Sequence, residues 1–296
     1  MSTLVTVQLL FVALALVMAG LGLSLELADF RRVLSEKRVV LIALALQMVI
    51  LPSAALGIAV AMRLEMPYAV GLMLLAAAPS SISSNLYSHV FGGNVALNVS
   101  LTGVNTALTL FSLPLICNWA LRYFAASEAA FPPVTGKLLE TMATLSLPVI
   151  LGMAVRTSFP AFAAKADKPM RIFSVLVLVV FSAGAIVKEW QSLVKGFVEV
   201  GGSVVVFNLL SLGIGYATAH LVALDRRSAV TFAFQLGIRS AVLSIYVAMS
   251  ALKDTQFALP AAVYSITMVI FGLSFGLLTH GYKHGPPKKS AALAES

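Results

Sequence analysis

The chain has 296 residues, 59% hydrophobic and 11% charged, with a mean hydropathy of +0.96 and a net charge of +8. Soluble domains carry roughly 25% charged residues, so this composition excludes a soluble globular fold and points to an all-α polytopic membrane protein. The positive charge lies in short loops between apolar runs, which is a topology signal and excludes a nucleic-acid patch; the single Cys117 excludes an internal disulfide and a cysteine-built metal site.

Nine apolar spans are predicted, at 4–26, 39–62, 68–90, 95–117, 138–155, 172–187, 200–222, 229–250 and 257–280. No basic residue precedes the first, so it is expected to be a retained helix and not a cleaved leader. Pro67, Pro132-Pro133, Pro169 and Gly201-Gly202 punctuate the joins. Residues 1–282 are expected to form a single transmembrane domain, and the basic tail 283–296 is expected to be disordered.

Thirteen of the twenty Lys and Arg residues fall on one face of this scheme: Arg31 to Arg38, Arg156 to Arg171, Arg226-Arg227 and Lys283 to Lys289. Six fall on the other, Arg63, Arg122, Lys137, Lys188, Lys195 and Lys253, and Arg239 lies within a span. The positive-inside rule then places the C-terminus in the cytoplasm and the N-terminus outside. A plasma-membrane (inner-membrane) location is expected.

Two spans are interrupted near their middles, the third by Ala78-Pro79-Ser80-Ser81-Ile82-Ser83-Ser84-Asn85 and the eighth by Gln235-Leu236-Gly237-Ile238-Arg239-Ser240. Irregular backbone at membrane depth is tolerated only where protein or a water-filled cavity surrounds it, and a matched pair of breaks points to a transporter's midplane site. The two spans lie an odd number of crossings apart and so run in opposite directions, as an inverted repeat requires. A five-helix unit would leave the chain one helix short at its N-terminus.

Arg239 is eleven residues from Ser228 and from Ser250, about 16 Å from either membrane face at 1.5 Å per residue. It cannot snorkel out, and an arginine at helix centre costs about 2.5–3.5 kcal/mol on insertion scales. All twelve Asp and Glu residues lie in loops or near span ends. Arg239 is therefore expected to meet broken-helix carbonyls, water or a bound anion; satisfaction by carbonyls and amides alone is the purely structural alternative. Pro79 frees a carbonyl and bends its helix, and unwound backbone with Ser80, Ser81, Ser83, Ser84 and Asn85 can offer oxygens to a cation or N–H groups to an anion. Asn98, Thr102 and Asn105 share one face of the next span, and Gln47 and Pro52 interrupt the second. Each amide alone reads equally well as glue between helices. The four histidines sit at span ends or in the tail, and no hydrolase, phosphate-loop or metalloprotease motif is present, so no enzyme is expected.

These residues resemble the bile acid:sodium symporter family. The stretch from Pro79 to Asn85, followed by Gly93-Asn94-Val95-Ala96-Leu97-Asn98-Val99-Ser100-Leu101-Thr102, is similar to the family's PGGTASN and GNVALSV segments. Gly20 to Ser24 with Asp29-Phe30, the Gln47 and Pro52 pair, and Gln235 to Ser240 match further family segments in order. The resemblance implies a core domain of spans two to four and seven to nine, with the broken helices crossing, and a panel of spans one, five and six. It implies secondary transport of a small or amphipathic organic anion by alternating access, with sodium symport. One sodium site maps to Ser84, Asn85, Asn98, Thr102 and Gln235, and a second to Gln47, Gln235 and Arg239. The substrate is expected to meet Arg239, Ser240, Ser83, Asn85, Asn105 and Met268. The chain departs from the family at the sodium sites: Gln235 stands for their shared acid, and Arg239 for a side-chain amide in the second, whose place its charge is expected to fill. Met268-Val269 replaces a polar pair in the last span. Rival readings are an efflux carrier of the auxin-carrier type and an intramembrane sensor or receptor. The remaining partner expected is the lipid bilayer; no cofactor is expected beyond sodium as a coupling ion.

Overall fold

The computed structural model describes residues 37–124, 135–163 and 190–281, with isolated positions at 15–16, 19–20, 22–23, 165–166 and 169. The predicted spans at 4–26 and 172–187 fall largely or wholly outside the described residues, as does the tail. Among the described residues there is no strand, only helices and one isolated backbone bridge.

Helix α1, Lys37–Ala61, is long and apolar enough to cross a membrane. It widens into one π turn at Leu46–Ile50, just before Pro52. The proline ring cannot fit against the carbonyl one turn earlier, and a widened turn relieves that clash. The turn holds Gln47, which is buried.

The third predicted span is two helices, α2 (Met66–Ala77) and α3 (Ser83–Val90). Pro79 explains where α2 stops. It lacks an N–H, and it pushes the preceding residue out of the helical region; Ala78 has φ −61° and ψ 153°. Helix α4, Val95–Phe124, continues beyond the predicted end of its span. Its halves, Val95–Thr109 and Phe111–Phe124, are bent by 54°, one turn before Pro114, whose ring displaces the carbonyl there. Helices α5 (Thr135–Ser158) and α6 (Trp190–Leu221) also outrun their predicted spans. The eighth span is again split, into α7 (Arg226–Gly237) and α8 (Ala241–Val247), the latter ending in a π turn at Ala248–Leu252. A short 3-10 turn, Thr255–Ala258, leads into α9, Leu259–Gly281.

The segments leading into the two breaks are built alike, each position 160 residues after its counterpart. Helices α1 and α6 both end on a left-handed residue, Arg63 (φ 51°) and Ala223 (φ 59°). Leu64 N–H donates to Ala59 O at 2.9 Å, and Leu224 N–H to Ala219 O at 2.9 Å; this is the helix-ending pattern that satisfies orphan carbonyls. Four-residue linkers then start α2 and α7, both of 12 residues. Pro79 and Arg239 are counterparts in this register.

Helices α2 and α7 are buried around their whole circumference from Tyr68 to Ala77 and from Ser228 to Gly237. Helix α2 packs against α1, α4 and α9, and α7 against α6, α4 and α3. Glycine allows the closest approaches. A Cβ on Gly71 would lie 2.4 Å from Phe257 O, and one on Gly215 would lie 2.5 Å from Phe232 O.

Candidate functional site

The two breaks meet. Ser81 N–H donates to Ile238 O at 2.8 Å, and Ser240 N–H donates to Pro79 O at 2.9 Å. Ser80 and Arg239 thus form an antiparallel bridge, the one isolated bridge among the described residues. The C-termini of α2 and α7 and the N-termini of α3 and α8 converge on this crossing, bringing helix ends of both signs together.

Arg239 turns onto the end of α2. Its Nη2 donates to Ala76 O at 2.5 Å and to Ala78 O. These are carbonyls that the break at Pro79 leaves without helical partners, and they form the negative end of the helix dipole. The side chain is 1% exposed, and its Nε and Nη1 have no hydrogen-bond partner. Of the partners open to it from sequence, broken-helix carbonyls take Nη2 of the guanidinium and leave Nε and Nη1 without one. The end of α7 is satisfied differently. Gly237 O accepts from Asn208 Nδ2 at 3.0 Å and from Tyr264 Oη at 2.6 Å, and Gln235 O accepts from Gln47 Nε2 at 3.5 Å.

A chain of neutral groups runs beside the crossing. Ser80 Oγ and Thr102 Oγ1 are 3.1 Å apart, and Thr102 Oγ1 donates to Gln235 Oε1 at 3.2 Å. Asn98 Nδ2 donates to Ser84 Oγ at 3.2 Å. Two buried oxygens, Asn85 Oδ1 and Asn98 Oδ1, have no donor. A buried acceptor left unmatched costs about 1–3 kcal/mol, and a hard cation that binds oxygen would match both. Among the described residues no group of His, Cys, Asp or Glu could hold a metal ion.

The predicted substrate residues divide. Arg239 and Ser240 lie at the crossing. Asn105, one turn beyond Thr102 on α4, is 1% exposed with both amide atoms unpartnered. Ser83 is engaged locally, its backbone N–H donating to Ser81 Oγ at 3.3 Å. Met268 packs against the cluster of Phe91, Phe234 and Ile238. The sequence leaves the start of α3 open to offer oxygens to a cation or N–H groups to an anion. The N–H groups of Ser81, Ser83, Ser84 and Asn85 all donate within the breaks, because the serines refold the chain into a tight local turn. The buried side-chain donors without a partner at the crossing are Arg239 Nε and Nη1 and Gln235 Nε2.

Sequence reasoning passed over Asn208 and Tyr264 as site members. The signal for both was available: single polar side chains within apolar spans, which usually find an interhelical partner.

Residues 11–196 match the model of the sodium bile acid symporter family. The chain is 26% identical over 254 residues to the "Uncharacterized sodium-dependent transporter YocS" of Bacillus subtilis, covering 86% of this chain and 77% of that one. It is 24% identical to the "Probable sodium/metabolite cotransporter BASS1, chloroplastic" of Arabidopsis thaliana, over 96% of this chain and 69% of that one. It is 23% identical to the human "Ileal sodium/bile acid cotransporter", over 97% of this chain and 83% of that one.

Proposed function

The chain belongs to the sodium bile acid symporter family, a family of transporters and not of enzymes, and from that premise we propose that it carries a small or amphipathic organic anion by alternating access. It is an integral membrane protein. Nine spans across residues 1–282 would divide into a core that holds the crossing helices and a panel of spans one, five and six. The core would be an inverted repeat, a reading supported by the matched linkers and half-helices. The protein would lie in the plasma membrane with its N-terminus outside and its C-terminus in the cytoplasm.

One observation carries the anion reading. A guanidinium is buried where two broken helices cross, its Nη2 on carbonyls and its Nε and Nη1 with donors to spare. A carboxylate would accept a single charge-assisted hydrogen bond from Nε or from Nη1, and Asn105 and Gln235 would add amide donors. Met268 would border the apolar part of the substrate. The names of the relatives support sodium as the coupling ion. Its place would be among Ser84, Asn85, Asn98, Thr102 and Gln235, where two buried amide oxygens lack donors.

Uptake of a panel of carboxylates into vesicles, with and without an inward sodium gradient, tests this. Saturable uptake that rises with sodium and vanishes in a folded Arg239→Gln variant is expected. Uptake unchanged in that variant would remove the arginine from the substrate site, and saturable uptake indifferent to sodium would remove symport.

A further inference from the structure

Arg239 sits where a cation would. Unwound carbonyls and half-helix C-termini are what transporters with broken helices use to coordinate their coupling cations. Here Ala76 O and Ala78 O, at the end of α2, are both taken by Nη2 of a buried arginine. We infer that the guanidinium is a tethered cation filling this place permanently, so that the protein binds at most one mobile sodium.

Two further features agree. Gln235, one turn before Arg239 and hydrogen-bonded to Thr102, is neutral, so among the described residues no fixed anion at this position draws a second cation to the crossing. A sodium about 5 Å from the guanidinium would be weakened on the order of a hundredfold by repulsion at an effective dielectric of 20. The unmatched groups also differ around the site. At Arg239 they are donors, which repel a cation, and at Asn85 and Asn98 they are acceptors, which attract one. The structure thus favours one mobile cation, beside α3 and α4. This deepens the transport reading and rests on it: uptake of a monovalent anion with one sodium would move no net charge.

The test counts sodium directly. Equilibrium binding of radioactive sodium to the purified full-length protein, with choline replacing sodium in the controls, is expected to saturate at one ion per chain or fewer. Arg239→Gln combined with Gln235→Glu frees the carbonyls and supplies an anion, and it should gain one ion per chain. Arg239→Lys keeps a fixed charge and should match the wild type. Two sodium ions in the wild type would overturn the inference, as would a folded double variant with no gain. If the double variant does not fold, the wild-type and Arg239→Lys counts decide, and a gain in the latter overturns it. Failure of carboxylate uptake, by contrast, would count against the transport reading and leave the sodium count standing.

Discussion

Ser80 and Arg239 face each other as an antiparallel bridge at the point where the two broken helices cross. They belong to counterpart segments, yet the breaks arise by different means. The first has Pro79, which cannot donate and keeps the residue before it out of the helical region. The second has no proline. Its chain leaves the helix at Ile238 (φ −119°, ψ 88°), where Ile238 O accepts from Ser81 and Arg239 reaches onto the end of α2. Arg239→Met should therefore destabilise the protein. It leaves Ala76 O and Ala78 O without donors at about 1–3 kcal/mol each, partly offset by removing a buried charge. A clearly lower unfolding midpoint in detergent is expected, with a smaller loss for Arg239→Lys. An unchanged midpoint for Arg239→Met would mean that these carbonyl contacts carry no stability.

Thr102 joins the two halves through its hydroxyl, which meets Ser80 Oγ and donates to Gln235 Oε1. Thr102→Val keeps the shape and removes the link. It should cost about 1–3 kcal/mol, because Gln235 Oε1 loses its donor in a buried place. If sodium binds beside this hydroxyl, the wild type should also melt higher in sodium chloride than in choline chloride. Thr102→Val should lose that difference, and a difference kept in full would place the ion elsewhere.

The breaks were legible in the sequence because each is marked locally: Pro79 and the serines after it, and the polar run from Gln235 to Ser240, interrupt an apolar stretch. Helices α2 and α7 end at Ala77 and Gly237, within those runs. The likeness of the two halves was legible only as topology. It lies in backbone geometry, in left-handed residues at Arg63 and Ala223 that are neither glycine nor alike. The partner of Arg239 was open between carbonyls, water and an anion, because the contact joins residues about 160 positions apart and no local pattern encodes it. Helices α4 and α6 run past the predicted span ends for another reason. Hydropathy marks where the chain leaves an apolar environment, whereas a helix continues for as long as its backbone bonds are made.

The close approaches at glycine give a graded test of packing. Gly71→Ala and Gly215→Ala would each push a Cβ to about 2.5 Å or less from a backbone oxygen, of Phe257 and Phe232 respectively. Backbone cannot swing aside as a side chain can, so a loss of about 1–3 kcal/mol is expected for each. Gly57→Ala, with nothing within 4 Å of the added carbon, should be neutral or gain up to about 1 kcal/mol from helix propensity. Unfolding midpoints of the three variants measure this. Equal midpoints would show that α2 and α6 do not approach their neighbours this closely.

Orientation can be tested on the eighth span alone. Helix α7 starts at Arg226, and the π turn after α8 ends at Leu252. If the pair crosses the membrane, exposed residues at its two ends lie on opposite sides. If it turns back as a re-entrant loop, they lie on the same side. The native thiol does not interfere, since Cys117 is fully buried. The positive-inside pattern puts Arg226-Arg227 in the cytoplasm and Lys253 outside. A membrane-impermeant maleimide should therefore label Thr255→Cys in intact cells and Arg227→Cys only after permeabilisation. The opposite result inverts the orientation and places the basic tail outside. Labelling of both from one side would show a re-entrant pair, and the parity that makes the third and eighth spans antiparallel would fail with it.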